Sequence, residues 1–216
     1  STETSLRNLG VETIDLQQFH VWNQEWLERE EWKRAVEDLK SAGKIRYFGI
    51  SINDHQPDSA LEACRTGLID TVQVIYNIFD QSPERHLLPL CRELNIGVLA
   101  RVPFDEGALT GAITPETTFD PGEFRFAYFA GDRKQQVFDR VNALLADLRA
   151  AGLDEPLPHT ALRFILSNPA VSTVIPGMRR VRNVEDNLSV PGKGSLSQPI
   201  LELLHKHAWE KNFYGE

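Results

Sequence analysis

The strongest constraint on the fold is a strand–helix alternation that repeats five times along the chain. Short runs of β-branched and apolar residues alternate with segments whose apolar side chains recur at helical spacing. The predicted strands are residues 13–21, 45–51, 71–77, 96–102 and 171–175. This alternation is typical of a parallel sheet with right-handed helical crossovers, so the chain is predicted to have an α/β fold.

Between and after the strands, the spacing of apolar residues predicts eight helices. They are residues 2–9, 28–42, 57–65, 83–94, 135–151, 159–167, about 179–189, and 200–212. Order lapses in residues 103–132, which are rich in Gly, Pro and aromatic residues and are predicted to form a long functional loop or lid. The aromatic residues of this segment predict either an apolar wall or a buried packing cluster. A Gly/Pro/Ser-rich linker is predicted at 191–199.

Two parallel architectures fit this order of elements. A doubly wound nucleotide-binding fold usually carries G-x-G-x-x-G after its first strand, but V-W-N-Q-E-W follows here, at residues 21–26. A (β/α)8 TIM-type barrel needs eight units and typically about 250 residues. Five units in 216 residues leave about three unaccounted for, and we expect them before a chain that begins inside a helical pattern. The prediction is a (β/α)8 barrel portion over residues 1–216, made of about the last five βα units plus a C-terminal helix.

Composition restricts the class of protein. The net charge of −8 argues against a general nucleic-acid surface. Apolar runs stay well short of about 18 residues, so no membrane span is predicted, and the first residues lack the apolar core of a secretory signal. Cys64 and Cys91 lie in helical patterns and are expected to be buried reduced thiols, not metal ligands. A cytoplasmic location is predicted.

Residues 171–187 form the most conspicuous local pattern. An apolar run that fits a buried parallel strand is broken by Pro176 and Gly177. Three arginines follow within four positions, Arg179, Arg180 and Arg182. A Gly turn, a helix N-terminus and clustered guanidinium groups together predict an anion or phosphate site. The alternative is a solvated basic helix start, in which Val181, Val184 and Leu188 share one face.

Five segments resemble, in the same order, motifs of the aldo-keto reductase family. They are S-L-R-N-L-G-V-E-T-I-D-L-Q-Q-F-H (5–20), A-G-K-I-R-Y-F-G-I-S (42–51), V-Q-V-I-Y-N (72–77), G-V-L-A-R-V-P-F-D-E-G-A-L-T-G (97–111) and I-P-G-M-R-R-V-R-N-V-E-D-N (175–187). The resemblance covers essentially the whole chain. It implies a (β/α)8 barrel that binds NAD(P)H without a Rossmann fold.

The family's catalytic tetrad consists of Asp, Tyr, Lys and His, and the resemblance assigns only the His, at His20. A neutral imidazole at a strand end can hydrogen-bond a substrate carbonyl, where barrel active sites form. The bland alternative is a structural hydrogen-bonding His. The other three members are expected in earlier units, because Tyr47, Tyr76, Tyr128 and Tyr214 do not match the family's Tyr motif.

By the same resemblance, Ser51 and Gln73 hydrogen-bond the nicotinamide carboxamide. The family often has Asn directly after this Ser; here Ile52 stands there, and Asn53 is expected to substitute. Without the resemblance, Ser51 and Gln73 are interpreted equally well as strand residues whose side chains hydrogen-bond the backbone.

Arg101 stands where the family commonly stacks a Tyr on the nicotinamide ring. A guanidinium plane also stacks on aromatic rings. The hypothesis is that its charge favours the reduced cofactor; the alternative is an ordinary salt bridge at the barrel mouth. Pro103, Leu109 and Gly111 resemble the loop that contacts the cofactor pyrophosphate, and the alternative is a turn with a short helix.

The resemblance makes residues 177–187 the site of the adenosine phosphate, beginning at Gly177. Arg179 and Arg180 are candidates for a 2′-phosphate, which favours NADP(H) over NAD(H). Asn183 stands where the family often has Arg or Gln. Asp186 and Asn187 match the pair that contacts adenine.

Together these features predict an NAD(P)H-dependent oxidoreductase that reduces aldehydes or ketones to alcohols. The predicted partners are a small carbonyl substrate and an N-terminal segment or partner chain that completes the barrel; neither nucleic acid nor membrane is expected. One alternative is a non-catalytic or regulatory NADP-binding protein, because the Asp, Tyr and Lys of the tetrad are not matched. Another is a structural remnant without ligand.

Overall fold

The computed structural model describes residues 1–214 and divides into two compact units. The first unit contains Ser1–Val74 and Pro83–Leu99, and the second contains Ile75–Ser82 and the chain from Ala100 onward. Within the described residues, no helix combines the length and apolarity needed to cross a membrane.

The first unit is built from alternating strands and helices, as the periodicity predicts. Its elements in chain order are α1 (Thr2–Leu9), β1 (Ile14–His20), α2 (Glu30–Ser41), β2 (Ile45–Ser51), α3 (Leu61–Arg65), the start of β3 (Thr71–Ile75), α4 (Leu87–Glu93) and the start of β4 (Gly97–Arg101). Gly10 ends α1 in a left-handed conformation, with φ 67°. A Cβ is disfavoured in that conformation, so glycine closes the helix at this point.

The second unit is mainly helical. Its elements are α5 (Phe124–Tyr128), α6 (Arg133–Ala150), α7 (Leu157–Ser167), β5 (Val171–Val174), α8 (Val181–Ser189) and α9 (Gln198–His205). Apolar residues at helical spacing line the buried side of α6, as predicted: Val137, Val141, Leu144 and Leu148 are all at most 5% exposed.

The five strands form one sheet in the order β1-β2-β3-β4-β5. The pairs β1–β2 and β2–β3 are parallel. At the start of β4, the Gly97 N–H donates to the Asp70 carbonyl at 2.9 Å, and the N–H of Ile175, which follows β5, donates to the Ala100 carbonyl at 2.9 Å. The predicted α/β class is therefore confirmed. That these strands are the last five of an eight-stranded barrel stays a prediction.

Strands β1 to β3 bury one face under aromatic and aliphatic side chains. Phe48, Ile50 and Val72 are at most 3% exposed. The Trp32 ring of α2 stacks on Phe48 with centroids 6.0 Å apart, and Phe19 meets Phe48 edge-on at 5.0 Å. Because strand side chains alternate, this packing leaves the polar residues of the same strands on the opposite face.

Gly49 of β2 lies on that opposite face with no room for a larger residue. A Cβ there would come within 2.1 Å of Thr71 Oγ1 and 2.8 Å of the Thr71 carbonyl oxygen. We expect Gly49→Ala to lower the free energy of unfolding by about 1–3 kcal/mol, because backbone and side chain must both shift. Urea unfolding measures this. Gly122→Ala is the matched control, since a Cβ there meets nothing within 4 Å; equal stability of the two variants would contradict the expectation.

Several predicted boundaries in the first unit are wrong. The single helix predicted over 83–94 is two elements, because Pro83 belongs to the 3₁₀ helix Ser82–Glu84 and α4 begins only after His86. Pro89 falls in the first turn of α4, where its missing N–H costs no helical hydrogen bond. Residues 28–42 also divide, since Arg29 is extended between the 3₁₀ helix Gln24–Glu28 and α2.

Two further predictions in this unit need correction, one for a helix and one for the third strand. The helix predicted at 57–65 is the 3₁₀ helix Pro57–Ala60 followed by α3. Strand β3 ends at Ile75, two residues before its predicted end at 77, because the Asn77 side chain accepts from the N–H groups of Phe79 and Asp80 and turns the chain. Cys64 and Cys91 are buried, as predicted.

In the second unit, β5 is less buried than predicted. Ser172 and Thr173 are exposed, and the flanking valines are half-buried. The strand is last in the sheet order, so β4 covers it on only one edge among the described strands. The apolar face of α8 is exposed as well: Val181 is 75% and Leu188 66% exposed.

The irregular segments of the second unit contain short helices that periodicity did not predict. The 3₁₀ helix Asp105–Thr110 and α5 lie within 103–132, and Pro191–Lys193 forms a 3₁₀ turn within the predicted linker 191–199. The last helix begins at Gln198 and ends at His205, seven residues before the predicted 212. It stops there because the Trp209 N–H donates to the Phe79 carbonyl at 2.8 Å instead of continuing the helix.

Candidate functional site

In the first unit, three predicted site residues stand in one row at the carboxyl ends of neighbouring strands. His20 of β1 pairs in register with Ser51 of β2, which pairs with Gln73 of β3. Residues in register on parallel strands project to the same face of the sheet. The structure therefore brings together an imidazole, a hydroxyl and an amide from residues 53 positions apart in sequence.

A chain of hydrogen bonds links two members of this row, Ser51 and Gln73, to Gln18 and Thr71 on the same face of the sheet. The Ser51 hydroxyl donates to Gln73 Oε1 at 3.5 Å, and Gln73 Nε2 donates to Gln18 Oε1 at 3.4 Å. Gln18 Nε2 then donates to Thr71 Oγ1 at 3.4 Å. Each distance is long for a hydrogen bond, so these contacts orient the side chains and leave capacity for a further partner.

Asn53 holds the turn that follows His20. Its Nδ2 donates to the Trp22 carbonyl at 3.0 Å, and the Trp22 N–H donates to the Ser51 carbonyl at 2.7 Å. Ile52, at the position where the family often has Asn, is fully buried, and its N–H donates to the Gln73 carbonyl. Asn53 thus acts on the backbone between His20 and the next strand end.

His20 also borders an apolar hollow that was not predicted. The hollow measures about 380 Å³ and is lined by Phe19, His20, Trp26, Arg29, Glu31 and Trp32. The Trp32 indole N–H is satisfied by the Trp26 carbonyl at 2.7 Å, so its ring needs no polar partner from a ligand. Trp26 and Trp32, six residues apart shortly after β1, were a signal that sequence reasoning left unused.

In the second unit, the loop after β4 is tightly held. Asn77 Nδ2 donates to the Val102 carbonyl at 2.9 Å, directly after the predicted stacking residue Arg101, which is half-buried. Pro103 is buried, and Leu109 is fully buried with its N–H donating to the Phe104 carbonyl. Of this loop, Gly111 reaches the surface, with φ 74°.

A cavity of the second unit lies where residues 177–187 were predicted to bind phosphate. It measures about 570 Å³. Its lining consists of Phe104, Thr110, Arg125, Pro156, Pro158, His159, Gly177, Arg179, Arg182, Asn183, Asp186 and Asn187. We call it the arginine cavity. Five predicted residues meet here, while Arg180 is absent from the lining and stands instead as the extended N-cap residue of α8.

Three guanidinium groups line this cavity, and one of them comes from the predicted lid. Arg125 of α5 is held by Glu123, its Nε donating to Oε1 at 2.5 Å, and its guanidinium lies 4.8 Å from the centre of the Phe119 ring. Arg179 and Arg182 flank the start of α8, where the helix dipole also attracts anions. Glu123 and the Asp186 carboxylate of the lining offset part of this positive charge; the remaining charge, in a chain of net charge −8, favours an anionic ligand.

Asn187 connects α8 to the glycine turn. Its side chain is 9% exposed, and Nδ2 donates to the Gly177 carbonyl at 3.3 Å. This bond links the loop after β5 to α8 at the edge of the cavity.

A second charged cluster in this unit has the residue types Asp, Tyr and Lys, the three tetrad members that the sequence motifs do not assign. Lys211 Nζ donates to Asp105 Oδ1 at 2.8 Å and to the Tyr128 hydroxyl at 3.0 Å. Burial, reinforced by the negative charge of Asp105, raises the pKa of Tyr128 far above its ordinary value. The Tyr128 phenol therefore stays protonated where it contacts Asp105 and Lys211. Sequence reasoning missed it because Lys211 and Asp105 are 106 residues apart.

The comparison with protein families agrees with the resemblance of the five motifs. The family model described as the Aldo/keto reductase family matches residues 1–205. That match covers nearly the whole chain, and the chain therefore belongs to the aldo/keto reductase family.

Individual relatives are similar over most of this chain. The NADH-specific methylglyoxal reductase of Escherichia coli (strain K12) is 30% identical over 190 residues, covering 86% of this chain and 56% of that protein. Aldo-keto reductase yakc of Schizosaccharomyces pombe, whose name carries NADP(+), is 29% identical over 189 residues, covering 86% and 54%.

Solved structures of family members share the fold. The glycerol dehydrogenase of Gluconobacter oxydans is 26% identical with a TM-score of 0.78, covering 95% of this chain and 62% of that one. The holo form of an aldo-keto reductase from Bacillus halodurans is 28% identical with a TM-score of 0.74, covering 96% and 63%. The chain thus spans less than two thirds of the length of each of these proteins.

Proposed function

We propose that this chain supplies the cofactor site and the active-site His of an NAD(P)H-dependent oxidoreductase that reduces aldehydes or ketones to alcohols. The observation that carries the proposal is the arginine cavity, in which Arg125, Arg179 and Arg182 face one space beside a helix N-terminus. Within this family, the phosphorylated end of a nicotinamide dinucleotide is the ligand that such a cavity suits.

The residues present fit that cofactor. A volume of about 570 Å³ lies within the usual range of ligand sites. Guanidinium groups bind phosphate oxygens through paired N–H donors, which supports a 2′-phosphate and hence NADP(H). Asp186 and Asn187 would hold the adenine, and Asn183 would add a neutral donor.

Other predicted residues have roles in the same proposal. Gly111, at the surface, would lie against the pyrophosphate, while the buried Pro103 and Leu109 would hold the loop in shape behind it. Arg101 would stack on the nicotinamide ring. In the first unit, Ser51 and Gln73 would hydrogen-bond the carboxamide, with Asn53 fixing the turn between them and His20.

When bound, the cofactor supplies the hydride. His20 would donate a hydrogen bond to the substrate carbonyl oxygen and orient it, because the imidazole stands exposed at the end of β1. Turnover is proposed for a polypeptide that also supplies the Asp, Tyr and Lys of the tetrad.

A second candidate function is a non-catalytic NADP-binding protein. The observation that favours it is that no tyrosine of the described chain matches the family's Tyr motif; these tyrosines are Tyr47, Tyr76, Tyr128 and Tyr214. Such a protein would keep the arginine cavity and lack a proton donor.

Titration of the chain's tryptophan fluorescence with NADPH and with NADH tests the proposal. We expect saturable binding of both and tighter binding of NADPH, because only NADPH carries the 2′-phosphate. Aldehyde-dependent oxidation of NADPH is then measured with the polypeptide that the complete reading frame encodes. Binding without turnover supports the second candidate, and the absence of binding to either nucleotide refutes both.

A further inference from the structure

The turn between β4 and the lid has an unusual backbone. Val102, Asp105 and Glu106 have φ values of 55°, 48° and 55°. Residues with a Cβ rarely adopt this left-handed region, so each such position needs support from its surroundings. Asn77 supports Val102 through the carbonyl bond at 2.9 Å. The other two positions are supported by a segment more than 100 residues later in the chain.

That segment is residues 209–214, which we call the C-terminal strap. Its Lys211 forms an ion pair with Asp105 in which the lysine side chain is 5% and the aspartate side chain 4% exposed. The ammonium group also lies 5.4, 5.2 and 4.6 Å from the ring centres of Tyr128, Trp209 and Phe213. A charge pair so completely removed from water is held in one geometry, because either partner alone would be strongly destabilised.

The strap's second contact supports the next residue of the turn. The Tyr214 hydroxyl donates to Glu106 Oε1 at 2.7 Å. The Tyr214 ring stacks on Phe124 of α5 with centroids 5.8 Å apart. The strap therefore contacts both the turn after β4 and α5, the lid helix that carries Arg125.

We propose that Lys211 and Tyr214 are positioning residues for the cofactor: the C-terminal strap holds the 102–111 turn and the lid helix in the shape that binds the dinucleotide phosphates. This inference rests on the proposed function, since 103–111 is the predicted pyrophosphate loop and Arg125 lines the arginine cavity. Lys211 and Tyr214 bind the side chains of Asp105 and Glu106, two consecutive residues with left-handed backbone. Packing of the strap alone would not require polar contacts at both of these positions.

The test uses Lys211→Met, which keeps the length of the side chain and removes its charge. We expect the Kd for NADPH to rise about tenfold, because displacement of binding groups by about an ångström is costly. Amide hydrogen exchange is expected to accelerate within 102–111 and 124–128, and to stay unchanged in α7. Lys206→Met is the matched control, because Lys206 is exposed just before the strap.

Tyr214→Phe keeps the proposal testable if Lys211→Met folds poorly. It removes one hydroxyl and its bond to Glu106, so about a threefold rise in the NADPH Kd is expected. The inference is overturned if both variants bind NADPH with the Kd of the Lys206→Met control and if amide hydrogen exchange in 102–111 is unchanged. If the unmodified chain binds no NADPH, the proposed function fails, and the exchange rates alone then decide whether the strap orders the turn.

Discussion

Replacing His20 by Ala is expected to lower kcat for carbonyl reduction by about 100- to 10,000-fold, the range for loss of a group that assists proton transfer or stabilises charge at the reacting oxygen. The Kd for NADPH should change less than twofold, because Ser51 and Gln73, not His20, are proposed to touch the cofactor. A large fall in kcat with a nearly unchanged Kd for NADPH indicates that His20 acts on the substrate, because a folding defect would also weaken NADPH binding.

This effect is measured with the polypeptide that the complete reading frame encodes, by following NADPH oxidation with a saturating aldehyde. His86→Ala is the matched control, since His86 is an exposed residue of the first unit that pairs with Asp58 at 2.9 Å. Equal activity of the two variants would show that His20 is a structural residue. A large rise in the NADPH Kd would instead place His20 in the cofactor site.

The double replacement Arg179→Ala/Arg182→Ala is expected to raise the Kd for NADPH by about 100-fold or more, because each charge-assisted hydrogen bond contributes about 1.5–3 kcal/mol. The Kd for NADH should rise much less, since NADH lacks the 2′-phosphate. The preference between the two nucleotides therefore falls in the variant, and fluorescence titration at constant ionic strength measures the ratio.

Arg180→Ala is the control within the same cluster. It removes one positive charge from the same segment, where the double variant removes two, and Arg180 is not among the residues that line the arginine cavity. A loss of NADPH affinity as large as that of the double variant would mean that net charge, not the cavity, attracts the nucleotide. It would also support the sequence prediction that paired Arg180 with Arg179.

Much of the fold could be predicted because it depends on local patterns. Periodicity located all five strands, and β2 is confirmed to the residue at Ile45–Ser51. The order of parallel strands then brought His20, Ser51 and Gln73 into one row, since strand ends meet at one edge of a sheet. The five family motifs added the residues around Gly177.

The rest depends on contacts between distant parts of the chain. Arg125 lies about 50 residues before the arginines that it joins, and Lys211 reaches back to Asp105. Neither pair has a periodic signal. The early end of α9 has the same cause, because the hydrogen bond from Trp209 to Phe79 competes with the helix. Local propensity cannot reveal such a competitor.

The residues of the arginine cavity and those of the His20 row come from different parts of the sequence, which allows the two parts to be exchanged separately. All twelve of its lining residues come from the stretch between Phe104 and Asn187, whereas the His20 row lies entirely before Val74. Under the proposed function, nucleotide preference would depend on the later of these two parts of the sequence, and the contribution of His20 to carbonyl reduction would depend on the earlier part. A single crossover near β4 with a relative of opposite nucleotide preference would exchange one property and keep the other.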